Sequence, residues 1–378
     1  MVNFAFGEDQ ELLRSTVRRF LEDRGALGTL RASLEGEDDF DADLWRRGAD
    51  LGWTAMLIPE PHGGGSISGQ PLVDLAALAE ELGRVLYPGP FLPTNVVADA
   101  VARSGSEALQ QSLLPALATG TATASWCATG DGTMDPAAVA VAATRTPDGL
   151  RLDGLARFVH GAQYATHLLV AARFGSEPVA TIVTTGTPGI AVRPVVGLDL
   201  SRRFAEVGFD GVVVPDGAIL ADGAEVAERA WKLATVIKAA EDVGAADHLV
   251  EETVRYAKDR VQFGRAIGSF QAIKHRLADL LVILEAMRAA ARYAALALGD
   301  GADDSDEAVA VAGSFVSDAF SRICGEALQI HGGIGFTWEH DVHLFVRRSK
   351  VDQVLYGEPW WHRAHLCDLV ERTMEEAG

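Results

Sequence analysis

The strongest constraint on the fold is a change of apolar period along the chain, from helix to strand and back to very long helix. Residues 8–23, 41–52, 72–85, 93–104 and 106–118 place apolar side chains at the spacing of amphipathic helices. Pro59, Pro61, the Gly63-Gly64-Gly65 run and Pro88-Gly89-Pro90 lie between them as breakers, and the glycine run reads as a turn rather than a nucleotide loop. From about residue 121 the pattern shortens. Ala137–Val141, Leu168–Ala172, Val179–Val183 and Phe204–Phe209 are strand-like runs, with turn residues such as Pro147-Asp148-Gly149 separating them. Residues 224–261, 268–298, 305–331 and 360–376 then return to long helical runs that suit an antiparallel bundle. The expected class is α+β: a helical domain over 1–120, a β-domain over 121–222 and a four-helix bundle over 223–378. Asp303-Asp304-Ser305-Asp306-Glu307 reads as an N-cap and first helical turn, where carboxylates favour the helix dipole.

Composition removes several function classes. A chain of 378 residues can hold two or three domains with sizeable cores. A formal net charge of -20 argues against nucleic acid as a partner. It does not exclude a local basic patch for the phosphates of a small molecule. Cys127, Cys324 and Cys367 have neither disulfide nor metal spacing, so the expected setting is a reducing cytoplasm. Met1-Val2-Asn3-Phe4 opens no basic-then-apolar leader, and no membrane span is expected. Neither a Gly-x-Ser-x-Gly elbow nor a phosphate loop ending in Gly-Lys-Ser/Thr occurs.

Two stretches beside the long helices carry the chemistry. One runs Arg260-Val261-Gln262-Phe263-Gly264-Arg265-Ala266-Ile267-Gly268-Ser269-Phe270-Gln271; the other runs Gln329-Ile330-His331-Gly332-Gly333-Ile334-Gly335-Phe336. Arg260, near a helix end, offers a fixed-charge fork to an anionic group, or is simply a surface arginine. Phe263 and Phe270 offer ring faces for stacking, or pack in a core. Gln329 brings both a donor and an acceptor. Gly332-Gly333 lets backbone N–H groups approach a phosphate, or merely ends a helix.

In this order, the two stretches resemble the C-terminal signatures of the acyl-CoA dehydrogenase family, and the resemblance extends over nearly the whole chain. Leu51-Gly52-Trp53 followed by Ile58-Pro59-Glu60-Pro61-His62-Gly63-Gly64 resembles an N-terminal family passage. Leu155–Ala162 followed by Ala165–Val170 resembles the strand pair beside the flavin ring. The resemblance implies FAD as cofactor, held by Arg260, Gln262, Phe263, Phe270, Gln271, Gln329, Ile330, Gly332 and Gly333, in the family mostly across a subunit interface. It also implies an acyl-CoA substrate, an electron-transfer flavoprotein as acceptor and a tetramer of like or unlike subunits. No metal is expected: His340 and His343, beside Glu339 and Asp341, fall in a passage that resembles a metal-free family segment. His362 and His365, near Trp360-Trp361, read as packing or interface residues.

The family reaction needs a desolvated carboxylate to take the α-proton of the thioester. Many members carry it in a Tyr-Glu-Gly-Thr passage, but this chain reads Leu355-Tyr356-Gly357-Glu358-Pro359, with Tyr356 at the base position. A tyrosine, with a reference pKa of about 10, is a poor base near neutrality. Other branches place the base on the first long C-terminal helix, where Ala234 marks the matching site here. Glu241, two turns further on, lies in an Ala-Ala-Glu-x-Val-Gly run resembling a short bacterial branch whose substrates include bulky steroid side-chain or ring-fragment thioesters. Gly244 and Ala245 share its face and leave room for something bulky. Glu241 is the expected base, with Glu358 and Asp242 as weaker candidates. The family's Glu-Pro passage beside the flavin is absent from Trp126–Pro136, where Asp131 or Thr133 could instead reach the ring. That loss motivates an alternative, a non-catalytic subunit that completes a partner's FAD site. A third reading is an oxidase or monooxygenase on the same fold.

Overall fold

The structure is a computed structural model that describes residues 6–24, 27–28, 30–31, 40–129 and 139–376. Among the described residues, helix comes first, with α1 Glu8–Asp23, α2 Ala42–Asp50, α3 Pro71–Arg84, α4 Phe91–Ser104 and α5 Glu107–Ala118. Asp41 caps α2 by accepting from Leu44 N at 2.8 Å, and Ser106 caps α5 by accepting from Leu109 N. The strands follow: β1 Ala124–Cys127, β2 Val141–Thr146, β3 Gly149–His160, β4 His167–Phe174, β5 Glu177–Thr184, β6 Ile190–Val195 and β7 Phe204–Val214. They form one mixed sheet in the order β1-β4-β2-β3-β7-β6, with β5 on the other edge of β4. β4 runs parallel to β1 and β2, and the remaining pairs are antiparallel.

Helix returns with α6 Gly223–Asp259, whose first turn is capped by Asp222. A two-residue hairpin, β8 Val261–Gln262 and β9 Arg265–Ala266, leads to α7 Gln271–Asp300, α8 Ser305–His331, α9 Val342–Asp352 and α10 Pro359–Glu376. α6 packs on α3, α7 and α8, and α3 also packs on α7. The two helical blocks share a single apolar core, which runs from Leu13 to Tyr356, whereas the sheet has a smaller core of its own around Leu152, Val170 and Val207.

Four expectations change. The strand expected over Ala137–Val141 begins only at Val141, and residues 137 and 138 lie outside those described. α6 stops at Asp259 rather than 261, and α7 starts at Gln271, because the hairpin takes up the residues between. Asp304 does not cap α8 through its side chain; its carboxylate accepts the Tyr293 hydroxyl instead, although Asp306 and Glu307 do sit in the first turn. The bundle also gains α9, a helix the apolar pattern does not announce. Among the described residues, no helix is long and apolar enough to cross a membrane.

Candidate active site

Glu241 lies in the middle of α6 and is 5% exposed. Its surroundings differ from the expectation of open space. A Cβ on Gly244 would overlap the Glu80 backbone carbonyl of α3, and one on Gly83 would overlap the Glu241 carbonyl. The small residues around Glu241 therefore admit a neighbouring helix rather than a bulky ligand. Ala239, Ala240, Ala245 and Ala246 are buried as well.

The Glu241 carboxylate faces a buried group of charges. Arg202, on the turn before β7, donates Nη2 to Glu241 Oε2 at 2.6 Å and Nε to Asp352 Oδ1 at 2.8 Å. Next to it, Arg348 donates to Asp199 Oδ2 at 2.7 Å and to Ser201 Oγ at 2.6 Å. Lys238, one turn before Glu241, donates to Ser317 Oγ at 2.6 Å and to the Asp352 carbonyl at 2.9 Å, and stands 3.5 Å from Asp242. Burial pushes the Asp352 carboxyl up, but Arg202 and Arg348 outweigh it and hold the group at about 2. Burial, and then the Asp352 charge, push Asp242 well above the usual carboxylate range, so Asp242 keeps its proton and Asp352 stays ionised. Three cations then meet three carboxylates, which is how buried charge persists.

A cavity of about 430 Å³ opens nearby between β4, β5, the first turns of α6 and α8, and α10. Its wall is mostly apolar and includes Ala172, Val179, Ala227, Trp231, Val309 and Trp361. Glu241 does not line it. The two are linked through aromatics: Trp231 meets Tyr356 edge-on at 6.2 Å and Trp126 at 6.4 Å, and Trp126 stacks on Tyr356 at 6.1 Å. Tyr356 in turn lies within the fields of Arg202 and Glu241, and burial raises its phenol well above its ordinary pKa. Glu358, the second candidate base, is exposed, with Trp360 donating to its carboxylate.

The two sequence motifs sit on the outside. The hairpin after α6 places Phe263 and Gly264 at its tip with φ of 54° and 77°. Positive φ at both tip residues is what a type I′ two-residue hairpin demands, and it is strained for an aromatic. Phe263 stands 93% exposed at the tip, with Phe270 edge-on at 6.2 Å and Arg265 stacked over Phe270. Arg260, Gln262, Gln271 and Gln329 are exposed as well, while Ile330 is buried as a core residue. Beyond α8, Gly332 takes φ of 63°, and a Cβ on Gly332 or Gly333 would meet no atom of the chain within 4 Å. On the sheet, a bulge in β3 gives Phe158 a φ of 52° and leaves it exposed beside the end of β1, where Arg157 N donates to Thr129 O at 3.0 Å. The Asp131 and Thr133 candidates lie outside the described residues.

Sequence reading missed Arg202, Asp352 and Trp231. Asp352 and Arg202 are 150 residues apart, and no local spacing joins them. It also missed His160, at the end of β3, whose buried Nδ1 has no hydrogen-bond partner and whose pKa burial, Arg202 and Arg348 pull well below the ordinary value. His340 does not pair with His343: it meets His331, ring centroids 4.6 Å apart, whereas His343 packs edge-on to Trp338. His362 is buried against Gly313 and Tyr356 O, and His365 stacks on Trp361, as packing residues do.

Comparison with known proteins points to one family over most of the chain. Residues 7–121 match the acyl-CoA dehydrogenase N-terminal domain and residues 221–366 its C-terminal domain. The acyl-CoA dehydrogenase IpdE2 of Mycolicibacterium smegmatis is 34% identical over 93% of this chain and 96% of its own. Among solved structures, a variant of the Tcur3481–Tcur3483 steroid ACAD superposes with a TM-score of 0.89 at 30% identity, covering 98% of this chain and 99% of that one. The ChsE4–ChsE5 complex from Mycobacterium tuberculosis gives 0.88 at 27% identity, covering 99% of each. A helical pair of blocks around a mixed sheet, two surface motifs and full-length likeness to these proteins place the chain in the acyl-CoA dehydrogenase family of flavin-dependent oxidoreductases that act on acyl-CoA.

Proposed function

We propose that this chain is an FAD-dependent dehydrogenase that introduces an α,β double bond into a bulky, steroid-derived acyl-CoA thioester, with three domains over 1–120, 121–222 and 223–378. The observation that carries this reading is the buried carboxylate of Glu241, held 2.6 Å from Arg202 while Arg202 keeps a second carboxylate, Asp352. The residues fit the cofactor: exposed Phe263 and half-buried Phe270 offer rings, Arg260 a guanidinium, and Gly332-Gly333 an open backbone. FAD, when bound, supplies the acceptor for the hydride that leaves the β-carbon.

Glu241 takes the α-proton in this scheme. Its neutralisation would strand a lone guanidinium were Asp352 absent; with Asp352 ionised, Arg202 stays paired as Glu241 becomes a neutral acid. The apolar cavity behind Trp231 accommodates the thioester arm, and Trp231 with Tyr356 must move aside for the α-carbon to reach the carboxylate. The exposed motifs support an assembly in which each protomer completes its neighbour's cofactor site, with an electron-transfer flavoprotein as acceptor and the cytoplasm as setting. The steroid class rests on the likeness to a steroid ACAD.

Anaerobic mixing with steroid-derived acyl-CoA tests the reading through the flavin absorbance. Wild type should bleach, and Glu241→Gln should bleach about 10²–10⁴-fold more slowly with FAD still bound, the usual worth of a positioned base. Equal rates would remove Glu241 as the base. The tight Arg202 pairing favours a second reading, a subunit that lends its surface motifs to an unlike, catalytic partner. Two of the similar structures carry paired names, Tcur3481–Tcur3483 and ChsE4–ChsE5. Activity that appears only on co-expression with a second acyl-CoA dehydrogenase chain, and survives Glu241→Gln, selects it.

A further inference from the structure

Away from the charge group around Arg202, three side chains from separate stretches converge beside the C-terminal half of α6. Glu252 on α6, His331 at the end of α8 and His340 ahead of α9 bring one ligand-type atom each to within 4.8 Å of one another. His331 is the fixed member, at 3% exposed. Its Nδ1 donates to Ala327 O at 2.8 Å, so Nε2 carries the lone pair. That Nε2 is buried and has no hydrogen-bond partner, which native interiors seldom leave unexplained. A backbone carbonyl on one ring nitrogen with the other nitrogen free is the support that metal-bound histidines use. Tyr256 fixes the ring further, stacking at 4.4 Å and donating its hydroxyl to His331 O at 3.3 Å.

We propose that Glu252, His331 and His340 bind a transition-metal ion of the zinc class. Two imidazoles and one carboxylate form a borderline donor set suited to Zn²⁺, with water in a fourth position. With bonds of about 2.1 Å, tetrahedral ligand atoms stand roughly 3.4 Å apart, so the cluster contracts on loading. Two contacts give way. Arg255 donates to Glu252, but its side chain is exposed and returns to water. Val342 N donates to His340 Nδ1 at 3.3 Å, a long bond that His340 yields if Nδ1 is the ligand atom. His343 takes no part. The ion would tie the end of α8, from which Gly332-Gly333 departs, to α6 two turns before Arg260. It would thereby fix the two surface motifs relative to each other whether or not a cofactor is present.

The test uses the full-length protein, stripped with a chelator and titrated with Co²⁺ and then Zn²⁺. The expected result is one equivalent of Co²⁺ per chain with a visible ligand-field band, displaced by Zn²⁺ and confirmed by elemental analysis. Glu252→Gln and His340→Ala, both at half-exposed positions, should each weaken binding by more than the roughly 10–100-fold typical of losing an outer partner. His343→Ala should bind as wild type does. No band with the wild-type chain, or equal binding by wild type, Glu252→Gln and His340→Ala, would overturn the proposal. Because His331 is a core residue, His331→Ala serves only as a supplement, read once circular dichroism shows it folded.

Discussion

Four glycines divide the molecule into two regions with opposite logic. Gly83 and Gly244 sit where α3 crosses α6, and each would drive a Cβ into the backbone of the other helix. Gly332 and Gly333 follow α8, and a Cβ on either would meet nothing. The interior pair belongs to a region whose charges find partners inside the chain: Glu241 and Asp352 on Arg202, Asp199 on Arg348, Lys238 on Ser317. The exterior pair belongs to a region of exposed rings and amides, with Phe263 at a hairpin tip of positive φ. A glycine the chain uses itself reports on folding. A glycine that faces open space leaves room for something the chain does not contain.

The contrast breaks first at Arg202. Arg202→Met leaves Glu241 and Asp352 buried without their cation and should cost about 3–5 kcal/mol, read from guanidinium unfolding. A loss under about 1 kcal/mol would mean that water already reaches these charges. Gly244→Ala comes next: the helices must separate, and the expected cost is about 1–3 kcal/mol or more. An unchanged Tm would show that the crossing is looser than its backbone contact implies.

Asp242 sharpens the picture through pH. Burial and Asp352 raise its folded pKa well above the carboxylate range, while the unfolded chain restores it to about 3.9. Above pH 4 or so the folded state therefore holds a proton that the unfolded state has released, and wild-type stability falls as pH rises. Asn does not titrate. The stability of Asp242→Asn relative to wild type should improve by about 1.4 kcal/mol per pH unit above about pH 4, until Asp242 ionises in the folded state. A pH-independent difference would contradict the assigned proton. The smallest effect on folding is expected outside. Gly333→Ala should change stability by no more than about 0.5 kcal/mol, yet weaken FAD retention by about tenfold or more, some 1.4 kcal/mol of binding. Equal FAD content after gel filtration would detach the motif from the cofactor.

The outer region was legible in the sequence because its parts are contiguous. Arg260 through Gln271 is a single hairpin and turn, and Gln329 through Gly333 a single helix end, so neighbours in sequence remain neighbours on the surface. The inner region was not. Glu241 reads as an acid among small residues, and that pattern suits a wide ligand as well as a crossing helix; only the position of α3 decides between them. The short helix α9 escaped notice because two of its buried positions, Arg348 and Asp352, are charged and break the apolar period that would reveal it. Their partners stand about 150 positions earlier, at Asp199 and Arg202. The helical blocks read as separate stretches yet share a core, since α3 and α6 pack across most of the intervening chain. His331 reads as part of a phosphate-approaching turn, and nothing in its neighbourhood announces Glu252 across the fold.

The proposed function requires an acid inside one protomer to work on a flavin held by the surface motifs of the next. Co-expression of Glu241→Gln and Gly333→Glu chains with different tags, followed by purification of assemblies that carry both, tests it in one assay. Each variant alone should be inactive. In a mixed pair one site combines an intact Glu241 with an intact motif, so about half of the wild-type rate per pair should return. Mixed assemblies as inactive as their parents would place both elements in the same protomer's site and contradict the account.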